Sequence, residues 1–364
     1  MTYGFIGLGL IGGSLAKNLK KLDPDCVIMA HTGTGQTTQK ALEEHVIDVI
    51  CSSCRDDSFA ECDMIFLCAP AETNIAVLPG LKKVIGKNCL LTDVGSVKTP
   101  IQEAVLQLGL GYQFVGGHPM TGSEKTGLDN ATDHLFENAY YIITPTKDSS
   151  PAHVEQMREL TLSLKAIPLV LDAREHDYIT AAISHLPHVI AASLVNTVHD
   201  LDGSEEYMRT IAAGGFRDLT RIASSSPAMW ESICLENSGN ISKVMDAFID
   251  RLIEARDHMC RGDGGYINHM FAESRDYRDS FTFASPGPVK RSFLIYCDII
   301  DESGAIAMVA TILAVNSISI KNVSIIHNRS FEQGALAIEF YAEKAMKKAV
   351  RLLRHYRYTV WEND

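Results

Sequence analysis

An apolar run at residues 3–7 leads directly into Gly7-x-Gly9-x-x-Gly12, which runs on into Ser14-Leu15-Ala16-Lys17-Asn18-Leu19, a stretch of helical composition. Few folds accept strand, glycine turn and helix in that order. Gly7 permits the tight turn, Gly9 lets a pyrophosphate reach the backbone, and Gly12 brings helix against strand. Phosphates would then meet the free amides of the helix N-terminus, at Leu10, Ile11 and Gly12. The acidic residue that would take ribose hydroxyls about 20 residues on is missing. The chain reads Ala30-His31-Thr32-Gly33-Thr34 there, without an arginine for a 2′-phosphate. Hydroxyls of Thr32 and Thr34 suit either nucleotide, so NAD is expected and NADP stays open.

Residues 1–150 alternate short apolar runs, at 3–7, 26–30, 64–68, 89–94, 112–115 and 140–143, with amphipathic stretches. Such alternation predicts a Rossmann-type, doubly wound parallel sheet. From 151 to 283 strand signals nearly vanish, and apolar periodicities at 179–198 and 241–253 predict an all-helical second domain. Glycines and prolines amid charges over 260–290 read as an exposed connection. Residues 290–364 follow the order strand 292–300, helix 305–315, strand 319–327, strand 335–342, helix 345–355, strand 358–361. That β-α-β-β-α-β order is ferredoxin-like, so the fold class is α/β with a C-terminal α+β domain.

A chain of 364 residues exceeds one ordinary core and allows clefts between domains. Its net charge of −12 repels phosphate backbones, and Lys347, Lys348, Arg351, Arg354 and Arg357 recur at helical spacing as a solvated face. No nucleic acid partner is expected. No apolar run is long enough to span a bilayer, so no membrane is expected either. Nine cysteines, odd in number and irregular in spacing, read as reduced thiols, and Cys51-x-x-Cys54 lacks a second pair or nearby histidines. The first strand begins by Tyr3, which leaves no room for a signal peptide; a cytoplasmic location is expected.

Where the nucleotide domain ends, the chain reads Gly116-Gly117-His118-Pro119-Met120-Thr121-Gly122-Ser123-Glu124. An imidazole titrates near neutrality, so His118 suits proton transfer coupled to hydride transfer. A tight turn with a solvated histidine would have the same sequence. The helical part adds Ser184-His185-Leu186-Pro187-His188 and Gly214-Gly215-Phe216-Arg217-Asp218-Leu219-Thr220-Arg221-Ile222, with Trp230 beyond. Together with Asp93-Val94-Gly95-Ser96-Val97-Lys98, in this order and spacing, these segments resemble the prephenate dehydrogenase family over nearly all of residues 1–260. Residues 290–364, with Gly304 opening the first helix and Asn316 closing it, resemble an ACT domain.

The family resemblance implies oxidative decarboxylation of prephenate, or of its amino form arogenate, to an aromatic product. His118 is then the base. Ser96 would hydrogen-bond His118 or the substrate hydroxyl, and an N-cap role before Lys98 is compatible with that. Arg221 would bind a substrate carboxylate through a charge-assisted fork. Glu124, with Ser123 beside it, would pair with that arginine and gate the pocket. His185 and His188 would line the pocket, with His176 nearby in space; Trp230 is a substrate contact or a core anchor. Arg217 is given a structural role, on an extended turn set by Gly214-Gly215. The two histidines lack a third ligand at metal-site spacing, and hydride transfer to nicotinamide needs no Lewis acid, so no metal is expected. A β-hydroxyacid dehydrogenase would place a lysine in the helical domain, and no candidate stands out. In the ACT-like part, Gly304 would offer backbone amides to a ligand carboxylate and Asn316 would meet its amino group, with tyrosine as effector. A purely structural dimerisation unit, or a non-catalytic NAD-dependent amino-acid sensor, remains the rival reading. The resemblance also implies a homodimer built through the helical domain.

Overall fold

A computed structural model describes residues 1–122, 125–280, 293–299, 302, 304–326 and 335–362. Contacts divide the chain into two units, Met1–Phe281 and Thr282–Asp364. In the first, β1 (Thr2–Ile6) ends at Gly7, whose φ of +95° turns the chain into α1 (Leu10–Leu22). There follow β2 (Val27–His31), α2 (Gly35–Glu43), β3 (Val49–Ile50), β4 (Met64–Leu67), α3 (Ala71–Leu81) and β5 (Leu90–Asp93). These strands pair in parallel in the order β3-β2-β1-β4-β5. Successive residues of a strand point to opposite faces. Phe5 and Phe66 therefore pack with Leu15 on one side of the sheet, while Ile6, Ile65 and Leu67 pack with Leu78 on the other. Helices cover both faces, which is why β4 and β5 are buried throughout. The strand order reverses beside β1, the kind of switch point at whose strand carboxyl ends open α/β sheets bind ligands.

After α4 (Thr99–Gln107) come β6 (Val115–Pro119), β7 (Tyr140–Pro145), α5 (Pro151–Ser163) and β8 (Ile167–Val170). β6 runs antiparallel to β7, and β7 parallel to β8. The expected single parallel sheet thus holds for five strands, and a mixed three-stranded sheet adjoins it through the Leu91–Phe114 bridge. The strand expected at 112–115 starts at Val115 and runs on through the glycines, with Tyr112 exposed in the turn before it. The expected boundary at 150 falls too early, since Met157 and Leu160 of α5 share a core with Tyr141 and Ile143 of β7. Pro168 masks β8 in the sequence, because proline is rare within strands except at edges, where β8 lies.

The helical part begins with α6 (Ala173–Thr180), a π-helical turn (Ala181–His185) and α7 (Leu186–Leu201). They form one 29-residue helix, and the wider turn accommodates Pro187, which has no N–H to donate. By length and composition this helix could cross a membrane, contrary to the sequence expectation. It nevertheless buries His176, Asp177 and His185. Next are α8 (Tyr207–Ile211), α9 (Gly214–Thr220), α10 (Pro227–Glu236), α11 (Ser238–Cys260) and α12 (Gly264–Asp279). α12 fills much of the stretch read as an exposed connection; Asp263 caps it by accepting from Tyr266 N at 3.0 Å. Much apolar surface stays exposed on these helices, as at Ile183, Leu235, Leu252 and Phe271.

The second unit contains β9 (Phe293–Asp298), α13 (Ala305–Val315), β10 (Ile320–Ile326), β11 (Ala335–Phe340), α14 (Glu343–His355) and β12 (Val360–Glu362). Its sheet runs β10-β11-β9-β12 with every pairing antiparallel. Leu313 of α13 and Leu353 of α14 pack on Ile295 and Ile338 of that sheet. All nine cysteines are free, and burial pushes the Cys51 thiol up to about 12, so Cys51-x-x-Cys54 is no reactive pair.

Candidate active site

Three glycines shape the cradle between β1 and α1. A Cβ on Gly12 would lie 2.5 Å from the Gly7 carbonyl oxygen, so only glycine lets the helix start this close to the strand. Around Gly9 no described residue lies within 4 Å of a Cβ position, and that open backbone can be approached by a pyrophosphate. α1 has no side-chain cap and no acidic residue in its first turn, and Gly13 N is the amide that bonds back to Gly9 O, at 2.9 Å. The amides of Leu10, Ile11 and Gly12 thus remain at the positive end of the helix dipole without a competing carboxylate. Past β2, the Thr32 hydroxyl donates to the Thr34 carbonyl at 2.7 Å, leaving its own lone pairs for a ribose hydroxyl. These residues fit a dinucleotide.

His118 stands on β6 opposite Ile142 and is 9% exposed, so the ring is not solvated and the run is a strand, not a turn. Its Nδ1 lies 2.8 Å from Nε2 of His176 on α6, and Nδ1 of His176 lies 2.8 Å from Oδ1 of Asp177. Asp177 also accepts from Lys98 N and Thr99 N, each at 2.8 Å, so a carboxylate from α6 caps α4. Burial acts to raise the Asp177 pKa, but hydrogen bonds from His176, Thr99 and Lys98 hold it below the usual carboxylate value. At His118 burial dominates, helped by His176, Lys98 and His185, and holds the ring well below the ordinary imidazole range. His118 is therefore neutral at pH 7.

The expected bond from Ser96 to His118 is not made among the described residues, and the partner of His118 Nδ1 is His176. Nor does Ser96 cap α4: Lys98 is at the N-cap and Asp177 takes the first amides. Ser96 lies half-buried in the turn between β5 and α4. Asp177 was missed in the sequence. Adjacent helical residues point in different directions, so spacing alone does not show that His176 and Asp177 both turn toward α4 and β6.

His185 is buried and closes the π-helical turn; its Nδ1 accepts from Asn237 Nδ2 at 3.1 Å, and the same amide donates to the Asp177 carbonyl at 2.7 Å. Burial brings the His185 pKa down to about 4, with Asp177 opposing and His176 and His188 adding. His188 stacks on Trp230, with 3.8 Å between ring centroids, and donates from Nδ1 to Ser184 O at 2.9 Å. Burial lowers its pKa, and the nearby Arg221 charge adds to that. Arg221 is exposed, in the turn Arg221–Ser224 that follows α9. Gly214 and Gly215 open α9 instead of an extended turn, which puts Arg217 on an exposed helix. Among the described residues, the buried Trp230 Nε1 has no hydrogen-bond partner. Ser123 and Glu124 lie outside the described residues.

The family model "Prephenate dehydrogenase, nucleotide-binding domain" matches residues 14–169, and "Prephenate dehydrogenase, dimerization domain" matches residues 172–287. The prephenate dehydrogenase of Bacillus subtilis (strain 168) is 38% identical over 349 residues, 94% of this chain and 93% of its own length. Among solved structures, prephenate dehydrogenase from Aquifex aeolicus in complex with hydroxyphenyl propionate and NAD+ is similar at a TM-score of 0.73 and 29% identity, covering 76% of this chain and 97% of that one. Synechocystis arogenate dehydrogenase follows at 0.69 and 27%, covering 78% and 100%. The B. subtilis match extends into the second unit, whereas the two solved structures cover about the share that the first unit makes up. With both domain models matched in order and a relative of this identity along nearly its whole length, the chain belongs to the prephenate dehydrogenase family.

Proposed function

We propose that this chain catalyses oxidative decarboxylation of prephenate to 4-hydroxyphenylpyruvate, a step of tyrosine biosynthesis, with NAD as hydride acceptor. The observation that carries the reading is His118, a buried imidazole neutral at pH 7, in the same unit as an uncapped glycine cradle. Hydride leaves the ring carbon that bears the hydroxyl. The ring carboxylate departs as carbon dioxide, and its bonding electrons aromatise the ring. His118 takes the hydroxyl proton and returns it to the ring oxygen, so no net proton is gained or lost; such a base contributes about 10²- to 10⁴-fold. Arg221 grips a substrate carboxylate, aided by Ser123 and Glu124, while Ser96 meets the substrate hydroxyl and His185 and His188 line the pocket. Bound NAD supplies the hydride acceptor; Gly7, Gly9, Leu10, Ile11 and Gly12 hold its diphosphate and Thr32 its ribose. No carboxylate at the end of β2 rejects a 2′-phosphate, so NADP is the alternative. Likeness to the Synechocystis arogenate dehydrogenase makes arogenate the alternative substrate. The test is formation of reduced nicotinamide with each pairing of prephenate or arogenate with NAD or NADP. Turnover with prephenate and NAD is the expected result; nucleotide binding with no turnover of either substrate refutes the reading and leaves the sensor.

For the second unit we propose a ferredoxin-like fold of ACT type that binds tyrosine. Its β-α-β-β-α-β order and its sheet order support this. Gly304, at φ +94°, opens α13 with no described residue near its Cβ position, which leaves room for a carboxylate at the first amides. Asn316 closes α13; its Nδ2 donates to Ile312 O at 2.9 Å, which leaves Oδ1 for an amino group. The two residues sit at opposite ends of one helix, roughly 18 Å apart at 1.5 Å per residue. The amino and carboxylate groups of one tyrosine share a carbon, so both residues can meet one ligand only if they come from two copies of the chain. Exposed apolar helices and the match to a dimerization domain support a homodimer, and nine free cysteines support a cytoplasmic location. Unchanged turnover of the full-length protein at millimolar tyrosine, with no tyrosine bound, refutes the effector role.

A further inference from the structure

We infer that His176 and Asp177 are positioning residues that hold His118 as its Nδ1–H tautomer, leaving Nε2 bare to accept the substrate proton. The inference rests on His118 being the base. Three buried groups stand in line, His118 Nδ1 to His176 Nε2 at 2.8 Å and His176 Nδ1 to Asp177 Oδ1 at 2.8 Å. The direction of every hydrogen bond in the line follows from its far end. Asp177 already accepts from two backbone amides, at Lys98 and Thr99, and a carboxylate so held has no proton to offer. His176 must therefore carry its proton on Nδ1 and donate it to Asp177. With its ring proton on Nδ1, His176 presents the Nε2 lone pair, and the complementary partner is a His118 that carries its proton on Nδ1. The opposite arrangement would set the bare Nδ1 of His176 against an anionic oxygen at hydrogen-bond distance, with both atoms buried.

Two further features keep the line in place. The Asn237 amide donates to the Asp177 backbone carbonyl, tying α6 to α11 where the carboxylate must sit. The Lys98 ammonium donates to the Gly117 carbonyl at 2.7 Å, which fixes β6 at the residue before His118. The chemistry follows from this order. While the substrate proton resides on His118, the ring is an imidazolium whose Nδ1–H points at an acceptor polarised by Asp177. That charge would otherwise stand unsupported in a buried site, facing the Lys98 ammonium and the His185 ring. The arrangement is that of a base oriented by a carboxylate, with one imidazole inserted between them.

The experiment is histidine-selective ¹⁵N labelling of the full-length protein, without cofactor, at neutral pH, together with steady-state kinetics. His118 is expected as the Nδ1–H tautomer in the wild type and as a tautomer mixture in His176→Gln. In the same variant kcat for prephenate should fall about 10²-fold or more, with KM and dinucleotide affinity within twofold of wild type. His176→Asn, which keeps a short polar side chain, serves if the first variant fails to fold, and the same loss is expected there. An Nε2–H tautomer in the wild type overturns the inference, as does a kcat within threefold of wild type in a folded His176 variant. His118→Ala is run in parallel. Full turnover there refutes the base itself, whereas a dead His118→Ala beside a fully active His176→Gln removes only the positioning role.

Discussion

Lys98 and Asp93 form an ion pair sealed from solvent, with side chains 0% and 2% exposed, at the two ends of the Asp93-Val94-Gly95-Ser96-Val97-Lys98 segment. The ammonium also donates to the Gly117 carbonyl, while Asp93 accepts from Gly95 N at 2.9 Å and Gly117 N at 3.4 Å. The pair therefore ties the turn after β5 to β6 one residue before His118. A buried pair of this kind stabilises little against an apolar replacement of both partners, yet breaking one partner strands the other charge.

Lys98→Ala should accordingly destabilise the fold by about 3–5 kcal/mol, the cost of an uncompensated buried carboxylate. Urea unfolding of the variant against wild type measures this. A loss below about 1 kcal/mol would mean that water reaches Asp93 once the lysine is gone.

Arg221→Ala should raise KM for prephenate far more than it lowers kcat. A charge-assisted hydrogen bond contributes about 1.5–3 kcal/mol, which corresponds to roughly 10- to 150-fold. Because Arg221 is exposed and packs in no core, the melting temperature should stay near that of wild type. An unchanged KM would remove Arg221 from the substrate site.

The parts that were legible in the sequence are those whose chemistry is local. Gly7, Gly9 and Gly12 announce their turn because each has a steric task within a few residues. The β-α-β-β-α-β order of the second unit was likewise visible from its alternating short elements. Gly116 and Gly117 hid in the opposite way: the strand was expected to end at Val115, before them, since glycines weaken strands. In the structure a Cβ on Gly117 would sit 2.8 Å from the Tyr141 ring and 2.9 Å from the Asp93 carbonyl, so these glycines serve close packing inside a strand. Gly264 and Gly265 misled similarly, because the Asp263 cap that starts α12 lies just before them. The line from His118 to Asp177 is nonlocal, closed by a helix 58 residues away, and no periodicity encodes it.

Acid should loosen the fold before it touches most carboxylates. His185 has its pKa brought down to about 4 by burial, against an ordinary 6.5, so the folded state prefers the neutral ring. The unfolded chain binds the extra proton first; stability is complete above about pH 6.5, falls as pH drops toward 4, and levels below it. At 1.36 kcal/mol per unit this group alone accounts for about 3 kcal/mol at most. His118, also lowered, acts in the same direction. Denaturant midpoints at pH 7.5, 5.5 and 4.5 should decline in that order in wild type and decline less in His185→Gln. Equal midpoints at pH 7.5 and 4.5 would show that His185 stays hydrated.

Gly9 and Gly12 belong to one motif but should fail in different ways when given a methyl group. At Gly12 the new Cβ meets the Gly7 backbone oxygen at 2.5 Å, and backbone cannot step aside as a flexible side chain can. Gly12→Ala should therefore lose roughly 1–3 kcal/mol of stability even without nucleotide, as overpacked sites do. At Gly9 the backbone sits at φ −79° and ψ −157°, which alanine adopts freely, and the Cβ enters open space. Gly9→Ala should melt with wild type yet bind NAD some 10-fold or more weaker, because the methyl occupies the face a pyrophosphate must approach. Thermal denaturation with and without NAD separates the two cases: nucleotide should raise the melting temperature of wild type and raise that of Gly9→Ala clearly less. Equal stabilisation of Gly9→Ala and wild type by NAD would place the diphosphate elsewhere than on the amides of Leu10, Ile11 and Gly12.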